Sequence, residues 1–390
     1  MVNENLIRNI SFYVHIPYCV KRCGYCDFNT YTPQELKGEG SSGDIASVSQ
    51  GYVESLAREI ELANQTLGKA RVSTIFFGGG TPTLLPADEL SRIIDLIAGR
   101  FELSKKCEIT IEANPDSVTD DSLIRLRRAG FNRVSFGMQS STPHVLKVLD
   151  RTHQPENVVR ATHGARGAGF SHISVDLIYG TPGESLDDWR RSLHDALDLP
   201  IDHISAYALI VEKGTKLAKA VGDGRIKIPE DDETAEKYRI ADDIFSERGY
   251  SWYELSNWAK PGGECRHNIA YWKNEEWWGL GPGAHSHING TRWWNVKHPA
   301  TYMSRLRAKE SPVLDREELT TENALVEKMM LGIRMRDGIS RKALTATQCE
   351  IVERYKITHH IDEKEWENDQ LVLSQSGRLI ADRIVRELLV

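Results

Sequence analysis

The chain has no long apolar run. No uninterrupted stretch approaches the roughly 20 residues that cross a bilayer, and the opening Met-Val-Asn-Glu-Asn-Leu-Ile-Arg-Asn-Ile lacks the apolar centre of a secretory signal. Basic blocks are also missing: 49 Lys and Arg against 56 Asp and Glu leave a formal charge of −7, which argues against nucleic acid as a partner. Cysteine is sparse, with six among 390 residues. Only one group is closely spaced, and the other cysteines, at 107, 265 and 349, stand singly. That excludes a disulfide framework and points to a reducing compartment. There is no low-complexity tract. The expectation is a cytoplasmic protein with no transmembrane segment, long enough for one large domain and a smaller one.

What is present begins at Cys19, Cys23 and Cys26, spaced CxxxCxxC directly after the apolar run Phe12-Tyr-Val-His-Ile. The run reads as a strand, so the thiols lie on the loop that leaves it. Zinc takes four protein ligands, usually as two pairs, and no second pair follows here. His15 would be the remaining candidate for a fourth ligand. Three thiolates suit a cubane cluster better, because they hold three irons and leave the fourth open to a small molecule.

Strand and helix patterns then alternate. Strands are predicted at 72–77, 107–113, 133–138, 173–178 and 203–210, and helices near 52, at 87–99, 120–128, between 143 and 166, and at 186–197. Residues 34–51, rich in Gly, Ser and charge, read as a mobile surface loop. Six strands separated by helices predict an α/β fold, a partial (β/α)6 TIM-like barrel with right-handed crossovers. Polar residues gather at the strand ends, as on the working rim of such a barrel. The expected organisation is a core over 1–220 with its cluster loop at 19–26, an aromatic-rich extension over 221–315, and a smaller α-rich, winged-helix-like domain over 316–390.

The rim carries Gly79-Gly80-Thr81, whose glycines allow close backbone approach to a ligand. Further along lie Glu112, Gln139, Arg151 and Asp176. Carboxylates there suit ribose hydroxyls, and a guanidinium suits a ligand carboxylate. The segments YVHIPYC, GGGTPT, EANP, RVSFGMQS, LDRTH and DLIYGTPGE together resemble the radical S-adenosylmethionine (SAM) superfamily, and within it the oxygen-independent coproporphyrinogen III oxidase-like group.

That resemblance implies a 4Fe–4S cluster on Cys19, Cys23 and Cys26. It implies SAM in a cavity lined by Tyr13, Tyr25, Gly79, Gly80, Thr81, Glu112, Gln139, Arg151 and Asp176. No catalytic acid or base is implied. Two branches of the group differ in function: porphyrinogen-oxidising enzymes, which perform an oxidative decarboxylation, and haem chaperones. The oxidases carry another cysteine two positions after the third cluster cysteine, where this chain has Phe28, and a longer segment ahead of the cluster loop. The run His267-Asn-Ile-Ala-Tyr-Trp matches the HNxxYW pattern of the chaperone branch. The resemblance therefore implies haem and haem-acceptor proteins as partners of a monomer or homodimer, with His267 as a haem ligand. Read from the residues alone, His267 is more readily a satisfied histidine of an aromatic core, because aromatic-rich segments are more often core than cofactor site. Cys265, His285 and His287 are alternative ligands.

Overall fold

The computed structural model describes residues 7–36 and 45–389. Six parallel strands form its centre: β1 (Arg8–Ile16), β2 (Ala70–Gly79), β3 (Glu102–Ala113), β4 (Arg133–Gln139), β5 (His172–Tyr179) and β6 (His203–Ala208). They are hydrogen-bonded in chain order, each joined to the next through one or more helices.

Along these strands apolar and polar residues alternate, and the pleat sends them to opposite faces. Phe12, Val14, Ile75, Phe77, Ile111, Val134, Phe136, Ile173, Val175 and Ile204 are buried beneath the surrounding helices. Each such side chain stabilises the fold by about 1.5–3 kcal/mol. The other face carries Thr74, Thr110, Arg133, Ser174, His203 and Ser205, also buried. The barrel lumen is thus polar, unlike the packed aliphatic interior usual for such barrels.

The segment after residue 221 continues the same sheet on both sides. On the β6 side lie antiparallel β8 (Asn257–Ala259) and then β7 (Ser251–Glu254). On the β1 side, β9 (Trp277–Leu280) pairs parallel with β1, followed by β10 (His285–Ile288), β11 (Thr291–Asn295) and β12 (Val313–Glu318). The order is β12-β11-β10-β9-β1-β2-β3-β4-β5-β6-β8-β7, so β1 and β6 are not paired and the barrel stays open. Helices between Thr321 and Leu388, with a two-stranded antiparallel ribbon of Ile339–Ser340 and Gln370–Leu371, enclose a second core around Trp366, Ile333 and Ile384.

Two readings of the sequence need correction. Part of the segment expected as loop is helical: Pro33–Leu36 forms a short helix, and the long helix starts at Ile45 rather than near Tyr52. Residues 37–44 of that segment lie outside the described residues. The stripe Tyr52, Val53, Leu56, Ile60 and Ala63 is buried. Once tertiary packing holds that stripe, helix propagation carries through Gly51 despite its poor propensity. A helix at Lys216–Gly222 also falls outside the sequence expectation. It is capped by Thr215, whose side chain accepts from the Ala218 N–H.

Candidate functional site

The cluster loop leaves β1 and is pinned at several points. The Cys19 N–H donates to the Tyr31 carbonyl (3.1 Å), and that of Leu217 to the Gly24 carbonyl (2.9 Å). Across from it, the turn after β2 docks by its backbone: Gly80 N–H to Ile16 O and Thr81 N–H to Tyr18 O, both 2.8 Å. Gly79 sits at φ +111°, and a methyl there would lie 2.6 Å from the His15 ring. A methyl on Gly80 would overlap the Tyr18 carbonyl. Glycine is required because two backbones meet here without room for a side chain.

Cys19, Cys23 and Cys26 all carry free thiols and line one cavity of about 140 Å3. Burial pushes the Cys19 thiol up to about 11 and raises that of Cys26. Forming thiolates here therefore needs a nearby positive charge. Arg151 supplies part of it, its Nη1 standing 3.4 Å from Cys23 Sγ. Among the described residues no three His, Cys, Asp or Glu side chains are gathered to hold a single metal ion. A cubane asks for something different, one thiolate on each of three irons, and three free thiols on one loop beside a guanidinium, Cys19 buried and Cys23 and Cys26 half-buried, fit it.

The same cavity is lined by Tyr25, Gly79, Gly80, Thr81, Glu112, Gln139, Arg151 and Asp176. Gln139 is buried at φ +63°, just past a β-bulge in β4. A side chain held in that left-handed region stores backbone strain, as residues at functional sites often do. Arg151 is anchored through Nη2 to Asn114 Oδ1 (2.7 Å) and to Gly137 O (3.0 Å). Its neighbour Asp150, also at positive φ, pairs with Lys21 on the cluster loop and with Lys216.

Glu112 receives one hydrogen bond, from Gly79 N–H at 3.2 Å. Burial, and then the adjacent Asp176, push its carboxyl up to about 8. Burial likewise raises Asp176, whose carboxylate accepts from Ser135 Oγ at 3.1 Å. Two half-buried acids near one another are complementary to a cationic ligand such as an aminoacyl sulfonium. This donor set fits SAM.

Sequence reasoning passed over Asn114 and Ser135, although both lie inside quoted motifs. Ser135, Gly137 and Gln139 follow the period of a strand, which signals that all three face inward.

Tyr13 and His267 lie one layer deeper, in a second cavity of about 250 Å3 that shares Glu112, Ser135 and Asp176 with the first. The Tyr13 hydroxyl is paired with His15 Nδ1 at 3.0 Å. His267 belongs to the helix Arg266–Trp272, which is packed against the lumen side of β2 and β3. Its ring is 2 % exposed, with Nδ1 2.7 Å from Thr74 Oγ1 and Nε2 3.0 Å from Tyr271 Oη. Burial holds the imidazole down to about 3. Glu108 accepts from the backbone N–H groups of Arg266 and His267, and its carboxylate faces Arg133 at 3.8 Å. Within the HNxxYW helix His267 and Ala270 are thus buried, and both ring nitrogens of His267 are paired inside the protein. Of the alternative ligands, Cys265 and His287 are buried, whereas His285 is exposed and stacked on Trp294.

The model of the radical SAM superfamily matches residues 13–196. The fold resembles coproporphyrinogen III oxidase (HemN) from Escherichia coli, with a TM-score of 0.81 over 98 % of this chain and 90 % of that one, at 22 % identity. The chain is 45 % identical to the haem chaperone HemW of Mycobacterium tuberculosis strain H37Rv over 377 residues, covering 97 % of this chain and 94 % of that protein. It is 38 % identical to HemW of Bacillus subtilis strain 168, with 85 % of each covered. The HemW of Escherichia coli K12 is 36 % identical, with 75 % of each covered. A partial (β/α)6 barrel with a C-terminal α-helical region, joined to this similarity over nearly the whole length, makes the chain a member of the HemW family within the radical SAM superfamily.

Proposed function

We propose that this protein is a cytoplasmic haem chaperone, which binds a 4Fe–4S cluster, SAM and haem and delivers haem to acceptor proteins. One observation carries the reading: the similarity to the mycobacterial haem chaperone spans 97 % of the chain. It therefore includes the extension and the helical region that lie beyond residue 196, where the radical SAM match ends. Among the described residues no helix is long and apolar enough to cross a membrane, and six free thiols suit a reducing compartment.

In this reading Cys19, Cys23 and Cys26 would hold the cluster, which supplies one-electron reduction of a sulfonium when bound. The protein's own part is positioning. Arg151, fixed by Asn114 and Gly137, brings positive charge to Cys23. Glu112 and Asp176 offer half-buried acids to a ligand ammonium, and the Gly79–Gly80 turn keeps side chains out of the approach. Phe28, 63 % exposed, occupies the position where the oxidase branch has a further cysteine.

Anaerobically reconstituted protein supplies the test. Mixed with haem and then with an apo-haemoprotein, it should bind haem and pass it on. Mixed with coproporphyrinogen III, SAM and a low-potential reductant, it should yield no decarboxylated product. Appearance of that product, or failure to bind haem, rejects the reading.

A further inference from the structure

The loop that carries the three thiols closes on itself. Its far end returns beside its start, where the Tyr31 N–H donates to Pro17 O at 2.7 Å and the Cys19 N–H to Tyr31 O. Between Cys26 and that closure stand Phe28, Asn29 and Thr30, and two of these reach sulfur. The Phe28 N–H donates towards the Cys26 thiol, and the Thr30 hydroxyl towards that of Cys19. Thr30 Oγ1 already accepts from Arg22 Nε at 3.2 Å, so its own proton is left for the sulfur.

Asn29, between the two donors, holds the segment from both sides. Its carbonyl pairs with His15 Nε2 at 2.9 Å. A carbonyl only accepts, so the imidazole proton sits on Nε2 and Nδ1 is left to accept from the Tyr13 hydroxyl. The side-chain amide of Asn29 donates to Pro282 O at 3.0 Å and to Lys297 O at 2.9 Å, 253 and 268 residues further along the chain. Both belong to the aromatic extension. That turn is itself fixed, because the Gly281 N–H donates to the buried Glu59 at 2.8 Å. It also leaves no slack: a methyl on Gly283 would lie 2.6 Å from Asn29 Nδ2. One side chain thus ties strand β1, the thiol loop and the extension together.

Hydrogen bonds to ligating sulfur stabilise the more negative, reduced state of an iron–sulfur cluster and so raise its reduction potential. We propose that Asn29 is a positioning residue for the cluster: by tying residues 28–30 to the extension it keeps both donors on the Cys26 and Cys19 sulfurs and raises the cluster's reduction potential. The extension is then a working part of the cluster site. The proposal deepens the reading that the three thiols hold a cluster, and rests on it.

The test uses full-length holo-protein, prepared anaerobically as wild type, Asn29→Ala, Gly283→Ala, Thr30→Val and Val20→Ala. Iron and sulfide are assayed, thermal melts are recorded, and the midpoint potential is titrated with redox dyes and read by electron paramagnetic resonance. Asn29→Ala removes the tie without adding charge, Gly283→Ala pushes on it from the extension side, and Thr30→Val deletes one donor. All three should hold iron and sulfide and shift the midpoint to more negative values. Val20→Ala, on the same loop with a side chain 70 % exposed, should keep the wild-type potential. A merely structural role for Asn29 would lower the melting temperature and leave the potential of the holo-protein where it is.

A wild-type potential in cluster-loaded Asn29→Ala and Gly283→Ala overturns the proposal, as does an equal shift in Val20→Ala. If Asn29→Ala loses its cluster, Gly283→Ala and Thr30→Val decide by the same criterion. Wild type that holds no iron and sulfide overturns the cluster reading beneath it.

Discussion

The imidazole of His267 can be tested through acid stability. Burial holds it down to about 3 in the folded protein, whereas in an unfolded chain it would titrate near about 6.5. Between those values the unfolded chain takes up a proton that the native ring refuses, so stability rises with pH through this window. The contribution is complete above about pH 6.5 and is lost progressively as the solution is acidified towards about pH 3. At pH 5 the loss amounts to about 2 kcal/mol, at about 1.4 kcal/mol per pH unit below the unfolded value. His267→Gln removes the titration while keeping a polar group within the reach of Thr74 or Tyr271. It should also carry a pH-independent cost of about 1–3 kcal/mol for an imperfect fit.

The assay is urea unfolding of both proteins at pH 7.5 and pH 5.0. Burial also lowers His15, His153 and His203, but these act alike in both proteins and cancel in the difference. Wild type should lose about 2 kcal/mol more than His267→Gln on acidification. If the two fall in parallel, the ring is not a buried neutral partner of Thr74 and Tyr271.

Three further outcomes are expected. In Glu112→Gln the proton held up to about pH 8 is gone. SAM binding to wild type should therefore release a proton at pH 7 and weaken about tenfold per unit below about pH 8, while the variant stays flat. Calorimetry in two buffers of different ionisation enthalpy reads this directly, and a wild type that releases no proton contradicts it. Gly80→Ala, whose methyl would overlap the Tyr18 carbonyl, should destabilise the fold by about 1–3 kcal/mol and impair SAM binding; an unchanged melt would show that the turn has room. Serine at Cys19, Cys23 or Cys26 should abolish bound iron and sulfide in anaerobic preparations, whereas Cys107→Ser and Cys349→Ser should keep both. Iron and sulfide analysis decides, and a cluster retained by any of the first three refutes the ligand assignment.

Much of the barrel was legible because its determinants are local. Alternating residues such as Val134-Ser135-Phe136-Gly137 state both the strand and its two faces, and Thr119 before Asp120 and Asp121 marks a helix start that the structure caps through the Ser122 N–H. The long helix was read short, since Gly51 and its neighbours have loop-like composition, and the burial that overrides them comes from residues distant in sequence. Asn114 escaped notice for a similar reason. Its role is to hold Arg151 and to donate to Thr81 Oγ1 at 3.1 Å, and neither partner adjoins it in the chain.

By itself the sequence determined the β/α alternation, the three-thiol loop and the placing of Glu112, Gln139, Arg151 and Asp176 at the first cavity, because periodicity and short spacings are properties of neighbouring residues. Only the tertiary structure decided that the aromatic extension lengthens the sheet at both edges, and that His267 is sealed into the lumen by Thr74, Tyr271 and Glu108. Strand pairing across more than 200 residues and the burial of a helix both depend on which surfaces meet. That is set by the summed packing of distant segments, and no local pattern encodes it.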